Sequence, residues 1–321
     1  MKTFIFIPDT NINAGLGHLY RCFKYSNFIK QDRTIIFLIN KNFNKKYLVK
    51  QNKNKKKIKY IYFSNLENIL KLLRLKYKNI IIFLDTYNSK LRKIKFKNYS
   101  NKNINILDFK AKCKSDFIID HTFTRKTDFH KINKGSNINT GIRNFPVLDK
   151  INFSKRNLIL INFGTVKNRI LIKKSLYFLK KLNLNSSYKI VIIDKFFSQI
   201  DFVDIKLNNK IIYFKFLTNI DKIYKKTLFA IGGCGIALYE RCFLNIPSIS
   251  KCVANNQFYN FKNFYSKKCI LDFDKIIQLD VRKPLVNKNF FNNLTKIENN
   301  TKKYFKYEKN TKHLYNFFNK F

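Results

Sequence analysis

Glycine is scarce in this sequence, with eight residues in a chain of 321. Glycine permits backbone dihedrals and close approaches that a residue with a Cβ would resist. Most of the glycines come directly after segments whose apolar pattern predicts a β-strand, namely Gly15, Gly17, Gly164, Gly232, Gly233 and Gly235. We therefore interpret them as positions where a turn at the end of a strand requires glycine.

The sequence also lacks several motifs. Its six cysteines form no Cys-x-x-Cys pair and have no metal-ligand spacing with the four histidines, which indicates reduced cytosolic thiols and no metal site. No apolar run approaches the ~20 residues of a membrane helix. The apolar N-terminus is too short for a signal peptide and is interrupted by Asp9. We predict a cytoplasmic protein without membrane insertion.

Acidic residues are few, 19 against 65 basic ones, which gives a formal net charge of +46. Such a charge is typical of nucleic-acid binding. However, only ten of the basic residues are Arg, and the lysines are spread through every segment together with many Asn, Ile, Phe and Tyr residues. These are residues of A/T-rich codons, so genome composition explains the excess. We predict no nucleic-acid partner, although the positive field favours anionic substrates.

Short, continuously apolar runs alternate with helical patterns along the chain. Such runs are typical of parallel strands covered on both faces, and the alternation predicts doubly wound α/β sheets. The length fits two domains, which we place at 1–145 and 155–321, the second including a polar, helical C-terminal segment. The sequence from about 122 to 155 shows no sustained periodicity and is interpreted as the connection.

The loop after the first predicted strand carries the sequence Ala14-Gly15-Leu16-Gly17-His18, and a helix is predicted to begin near His18. A glycine turn between a strand and a helix exposes backbone N–H groups to an anion or a polar ligand. A histidine at this place can exchange a proton near neutral pH. The alternative is a histidine that is only part of the surface or core. Asp85 and Tyr87 follow another strand and are expected at the same sheet edge.

Several motifs together resemble one family, the UDP-sugar hydrolases of the pseudaminic acid pathway, which are relatives of GT-B glycosyltransferases. Their order and spacing fit over nearly the full chain. The motifs are Gly15-Leu16-Gly17-His18 with Arg21-Cys22, Leu84-Asp85-Thr86-Tyr87, Thr140-Gly141-Ile142-Arg143, Leu160 to Thr165, Ala230 to Cys242 with the glycine turn and Tyr239-Glu240-Arg241, and Asn256-Gln257.

The resemblance implies a GT-B-like fold, with two Rossmann-like parallel-sheet domains facing a cleft. It implies that the C-terminal domain binds UDP and that water attacks the anomeric carbon of a UDP-2,4-diacetamido-2,4,6-trideoxyhexose with inversion. No metal or cofactor is implied. The partner is the small UDP-sugar, and we expect a monomer or a weak oligomer. A GT-B glycosyltransferase that uses a UDP-sugar donor is the alternative, and a lectin-like or nucleic-acid-binding module is the third.

The resemblance also assigns roles to residues. His18 corresponds to the catalytic base, Glu240 to the residue that holds the ribose hydroxyls, and the turn from Gly233 to Gly235 to the phosphate site. Tyr87 and Asn256 correspond to residues that line the sugar pocket. The other expected substrate-binding residues are Gly15, Gly17, Arg21, Asp85, Arg143, Gly164, Gly232, Cys234 and Gln257. For Glu240 the alternative is an ion pair with a surface lysine.

Chemistry leads to similar requirements without the resemblance. UDP is a good leaving group, so its sugar ester needs less acid assistance than a glycoside that depends on two carboxylates. The site needs a base that can reach water, and donors for the departing diphosphate. Two departures from the family pattern stand out: Gly164 is a single glycine with no acid beside it, and Cys234 stands where a hydroxyl is common.

Overall fold

A computed structural model describes residues 2–10, 16–48, 58–147, 152–164, 168–196, 205–217 and 220–321. The chain divides into two compact units. Unit 1 comprises Met1–Leu148 and Glu308–Phe321, and unit 2 comprises Asp149–Tyr307. Each unit is built on its own sheet.

The sheet of unit 1 has seven strands in the order β3-β2-β1-β4-β5-β6-β7, and every neighbouring pair is parallel. Chain order reverses beside β1, so β1 and β4 flank the switch point where open α/β sheets bind ligands. The strands are β1 (Lys2–Pro8), β2 (Thr34–Asn40), β3 (Ile58–Phe63), β4 (Asn79–Asp85), β5 (Lys102–Ile106), β6 (Phe117–Asp120) and β7 (Asn137–Thr140).

The sheet of unit 2 has six strands in the order β10-β9-β8-β11-β12-β13, again all parallel. The strands are β8 (Leu158–Asn162), β9 (Lys189–Ile193), β10 (Lys210–Phe214), β11 (Thr227–Gly233), β12 (Ser248–Lys251) and β13 (Leu271–Asp272). Two wholly parallel sheets confirm the predicted α/β class. In this second sheet the chain order reverses between β8 and β11, so these two strands flank its switch point.

Helices connect the strands and cover both sheets. In chain order they are α1 (Gly17–Ser26), α2 (Leu66–Lys76), α3 (Ser89–Lys93), α4 (Arg169–Leu182), α5 (Asp221–Tyr224), α6 (Ile236–Phe243), α7 (Phe258–Ser266), α8 (Phe273–Ile277), α9 (Pro284–Tyr304) and α10 (Tyr307–Asn319). Within the described residues, no helix is both long and apolar enough to span a membrane.

The central strands of unit 1 are buried on both faces, as their continuous apolar sequences predict. Phe6 stacks between Phe37 and Phe83 on one face, with ring centroids 5.1 and 4.8 Å away. Ile7 and Leu38 belong to the core on the opposite face. Because successive side chains of a strand point to opposite faces, a run without polar residues fills both layers.

The helix α10 covers the first sheet rather than the second. Its residues Leu314, Phe317 and Phe318 are buried in the same core as Phe4 and Phe83. The sequence analysis assigned this segment to the second domain because it follows that domain along the chain. Its amphipathic pattern predicts a helix, but not which sheet its apolar face will contact, and here the aromatic face of unit 1 supplies the partner.

The segment interpreted as an irregular connection contains regular structure. It holds β7 and two 3-10 helices, Thr127–His130 and Ile142–Asn144. The strand β7 has the sequence Asn-Ile-Asn-Thr and lies at the sheet edge. A polar strand of four residues has no apolar run to reveal it, so only its pairing with β6 defines it.

Candidate functional site

The helix α1 brings two polar side chains to the C-terminal end of β4. His18 and Arg21 are three positions apart, so they lie on the same face of the helix, while Leu19 and Cys22 enter the core. Asp85 is the last residue of β4, at the switch point of the sheet. The structure thus joins three predicted site residues. Gly17 is the first residue of α1, and Gly15 lies outside the described residues.

His18 and Asp85 form a buried hydrogen-bonded pair, with Nδ1 2.6 Å from Asp85 Oδ1. Burial opposes ionisation of Asp85, but Arg21 and His18 outweigh it and lower the pKa of this carboxyl. An ionised carboxylate only accepts hydrogen bonds, so His18 Nδ1 carries the proton and donates. In the neutral imidazole the lone pair then lies on Nε2, which has no hydrogen-bond partner among the described residues. His18 is therefore arranged to accept a proton.

Arg21 is almost fully buried, at 1% exposure, and is bound by two carboxylates. Its Nε and Nη2 donate to the two oxygens of Asp85 at 2.7 and 2.6 Å, and Nη1 donates to Asp108 Oδ2 at 2.8 Å. Burial would lower the pKa of Arg21, but the carboxylates of Asp85 and Asp108 raise it well above its ordinary value. Arg21 and Asp85 thus form a network with His18, and their predicted role in substrate binding stays a prediction.

Two further residues join this cluster that the sequence analysis did not select. Asp108 follows β5. Burial would raise the pKa of its carboxyl, but the charge of Arg21 outweighs burial and lowers this pKa. His121 follows β6, is buried, and has Nε2 3.4 Å from Arg21 Nη1. Both come directly after strands of the same parallel sheet. Asp85 was selected because it follows a strand, at the sheet edge where open α/β sheets bind ligands, and the same rule could have selected Asp108 and His121.

Tyr87 forms the exposed side of the cluster. Its ring contacts His18 edge-on, with centroids 4.6 Å apart, and its hydroxyl donates to Asp108 Oδ1 at 3.2 Å. The backbone N–H of Tyr87 donates to Asp9 Oδ2, which also accepts from Thr86. Tyr87 is 36% exposed and stands beside the proposed base. Its position is suited to contact a ligand.

The buried neutral imidazole of His121 makes unit 1 sensitive to acid. Burial, followed by the nearby Arg21 charge, lowers the pKa of His121 to about 4. An unfolded histidine titrates near pH 6.5, so below that pH the unfolded chain binds a proton that the folded chain does not. Stability must therefore fall as the pH decreases from 6.5 to 4.

We predict that this histidine contributes a loss of about 2 kcal/mol in the free energy of unfolding of unit 1 between pH 7 and pH 5. His121→Asn should flatten the pH dependence in that window, as measured by hydrogen exchange of β1 and β4 peptides. His313→Asn serves as the control. His313 lies in the same unit and burial lowers its pKa as well, but its side chain is only partly buried. An unchanged slope in His121→Asn would contradict the prediction.

In unit 2 the glycine turn lies at the end of β11 and leads into α6. A Cβ on Gly232 would be 2.1 Å from the carbonyl oxygen of Asn162, and one on Gly233 would be 3.0 Å from that of Phe163. No side chain fits at either position without a shift of the backbone. Gly235 caps α6 at its N-terminus. The scarce glycines are thus retained where two strand ends approach closely.

The side chain of Gln257 holds the turn. Its Oε1 accepts from the backbone N–H of Cys234 at 3.0 Å and from that of Val253 at 3.3 Å. The Cys234 thiol is buried, and burial raises its pKa to about 12, so it stays a neutral thiol. Gly164, in the neighbouring loop, has a φ of +98° and donates its N–H to Asn162 Oδ1.

The remaining predicted residues have different surroundings. Glu240 is partly buried on α6, and its Oε2 accepts from the hydroxyl of Tyr224 at 2.9 Å. Asn256 is exposed in the 3-10 helix Asn255–Gln257. Arg143 is exposed in unit 1, donates to Asn139, and joins none of the hydrogen bonds around His18. In the described part of the chain, no group of His, Cys, Asp or Glu is placed to hold a metal ion.

Comparison with known proteins reveals structural but not sequence relatives. No protein-family model matches the chain, and no curated protein matches it. Phytolacca americana UGT2, solved with UDP-2fluoro-glucose and pterostilbene, matches with a TM-score of 0.65 at 10% identity, over 100% of this chain and 99% of that one. Arabidopsis thaliana UGT89C1, solved with UDP-L-rhamnose, gives 0.65 at 12% identity, over 99% and 98%.

MurG of Acinetobacter baumannii also matches, with a TM-score of 0.61 at 13% identity over 100% of both chains. Identities this low establish the fold alone. The chain has the GT-B-like fold of these glycosyltransferases, as the motif resemblance implied.

Proposed function

We propose that this protein is a hydrolase that releases UDP from a nucleotide-activated 2,4-diacetamido-2,4,6-trideoxyhexose, as in pseudaminic acid biosynthesis. The observation that carries the proposal is the pairing of His18 with Asp85, which leaves Nε2 as a proton acceptor. The motif resemblance supplies the sugar class. The structural neighbours solved with UDP or UDP-sugars support a nucleotide-sugar ligand.

In the proposed reaction, His18 Nε2 takes a proton from water as the water oxygen bonds to the anomeric carbon. The bond from that carbon to the diphosphate oxygen breaks, and UDP leaves with the electron pair. Asp85 stabilises the imidazolium that forms, because its carboxylate accepts from Nδ1. Arg21 keeps Asp85 ionised and correctly oriented. Asp85 and Arg21 therefore both have a part in making His18 a base.

Unit 2 provides the groups suited to the departing UDP. The N-terminus of α6 follows the glycine turn, and the helix dipole favours negative charge there. Glu240 lies on the same helix and offers a carboxylate for the ribose hydroxyls. The Cys234 thiol, a weak donor held neutral, replaces a hydroxyl at the turn.

A glycosyltransferase that uses a UDP-sugar donor is the second candidate, because the structural neighbours are glycosyltransferases. The same base would then take a proton from an acceptor hydroxyl. Incubation of the protein with the UDP-sugar alone, followed by assay of UDP and reducing sugar, separates the two. Equal release of both products supports hydrolysis. Release that requires an added acceptor supports transfer and overturns the hydrolase proposal.

We predict that Glu240→Gln weakens UDP binding by about 1–3 kcal/mol, since a charged acceptor for the ribose hydroxyls is lost. Isothermal titration calorimetry measures the affinity. Tyr224→Phe is the matched control, because it removes the hydrogen bond at Oε2 but retains the carboxylate. If Glu240→Gln binds UDP as tightly as the wild type, Glu240 only anchors Tyr224 and has no role toward the nucleotide.

A further inference from the structure

Arg241 is a wholly buried cation in unit 2. Its Nε donates to Ser248 Oγ and its Nη2 donates to the carbonyl of Gly233, both at 3.0 Å. Its Nη1 is buried and has no hydrogen-bond partner. In the part of the chain that the structure describes, no carboxylate forms an ion pair with Arg241.

The protein contains a second arginine that is equally buried and shows what such a charge ordinarily requires. Arg21 is bound by the carboxylates of Asp85 and Asp108. An isolated buried charge is costly because it loses hydration without gaining a counter-charge. Among the described residues Arg241 meets only a hydroxyl and a backbone carbonyl, and no carboxylate there neutralises its positive charge.

The position of Arg241 connects it to the glycine turn. Its Nη1 lies 3.3 Å from the point where a Cβ of Gly232 would stand, and Nη2 holds the next carbonyl, that of Gly233. The turn then continues directly into the N-terminus of α6, where unpaired N–H groups favour an anion. A fixed positive charge therefore lies against the backbone of the turn.

We propose that Arg241 is a positioning residue that orients the Gly233 carbonyl and gives the glycine turn selectivity for a diphosphate. An anion bound at the turn supplies the negative charge that no carboxylate among the described residues provides to Arg241. The charge also offsets the lack of a hydroxyl donor at Cys234. This inference rests on the proposed function in so far as the diphosphate is that of UDP.

The test compares UDP, uridine and inorganic pyrophosphate as probes, by ligand-observed NMR at about 0.15 M salt so that surface lysines are screened. Arg241→Gln should lose on the order of 10-fold in affinity for UDP and pyrophosphate, which is about the cost of losing one charged contact. The affinity for uridine should stay within about 2-fold of the wild type. Arg241→Lys keeps the charge and should retain the preference for UDP over uridine.

Two control variants separate this role from simple structural support. Ser248→Ala removes one anchor of Arg241 but not its charge, so the ratio of UDP to uridine affinity should hold. Arg282→Gln removes an exposed arginine of the same unit, paired with Asp280, and should change nothing. Should Arg241→Gln fail to fold, the Lys and Ser248→Ala variants still measure the ratio.

The outcomes distinguish the inference from the proposed function. The role of the charge is overturned if Arg241→Gln loses affinity for UDP and uridine equally. It is also overturned if both Arg241→Lys and Ser248→Ala lose the preference for UDP over uridine. A wild-type protein that binds pyrophosphate through Arg241 but not UDP leaves the inference standing and defeats the proposed function. A wild-type protein that binds neither probe overturns both.

Discussion

Replacement of His18 by Asn is expected to lower turnover of the UDP-sugar by about 10²–10⁴-fold, the usual contribution of a positioned general base. The Asn amide can replace one ring nitrogen as a hydrogen-bonding group, but it cannot take a proton at neutral pH. Binding of UDP should stay within a few-fold, because the proposed nucleotide-binding groups lie in unit 2. UDP release under saturating substrate, together with calorimetric UDP affinity, measures the two effects.

The matched control is His313→Asn, which changes an imidazole of α10 that contacts Asn139 and Asn144 in the same unit. Its turnover should remain within a few-fold of the wild type. Near wild-type hydrolysis by His18→Asn would remove His18 from the chemistry. His18 would then be a structural partner of Asp85, and the proposed mechanism would have no base.

Replacement of Arg21 by Met should destabilise unit 1 by about 3–5 kcal/mol, because it leaves buried carboxylates without their partner. Asp85 would lose two charge-assisted hydrogen bonds and Asp108 one. Hydrogen exchange of β1 and β4 peptides reports the opening free energy of unit 1 separately from that of unit 2. Turnover should fall as well, since Asp85 would no longer be fixed for its bond to His18.

Arg33→Met is the appropriate comparison for that variant. Arg33 pairs with Asp32 at 3.6 Å, and the two side chains are 26% and 65% exposed. Ion pairs of this kind contribute about 0–1 kcal/mol, so its removal should barely change exchange. If Arg21→Met and Arg33→Met had equally small effects, the buried cluster would not be a stabilising or orienting network.

Much of the fold could be predicted from the sequence because the signals are local. Continuous apolar runs such as Thr34–Asn40 and Leu158–Asn162 appear as buried parallel strands. The glycine turn before α6 was recognised from its place after an apolar run, whereas the reason it needs glycine, the nearby carbonyls of Asn162 and Phe163, appears only in the structure. The short polar strand β7 escaped because edge pairing, and not its own pattern, makes it a strand.

The candidate site was predicted less completely. His18, Asp85 and Tyr87 were selected from their places after strands, and the structure brings them into contact. The network that Arg21 and Asp85 form with His18 and Asp108 could not be predicted, because the partners of a buried charged side chain depend on the packed chain. Asp108 and His121 follow less central strands, where no glycine or motif marks them.

The sequence by itself determined the class of fold and the number of parallel α/β units. Both depend on short stretches of consecutive residues, in which continuous apolar runs alternate with helical patterns. Only the tertiary structure decided that α10 covers the first sheet, that two carboxylates neutralise Arg21 and that Arg241 meets no carboxylate among the described residues. These facts depend on which distant residues meet at a strand end. Local pattern cannot encode them, since burial and pairing are properties of the packed chain.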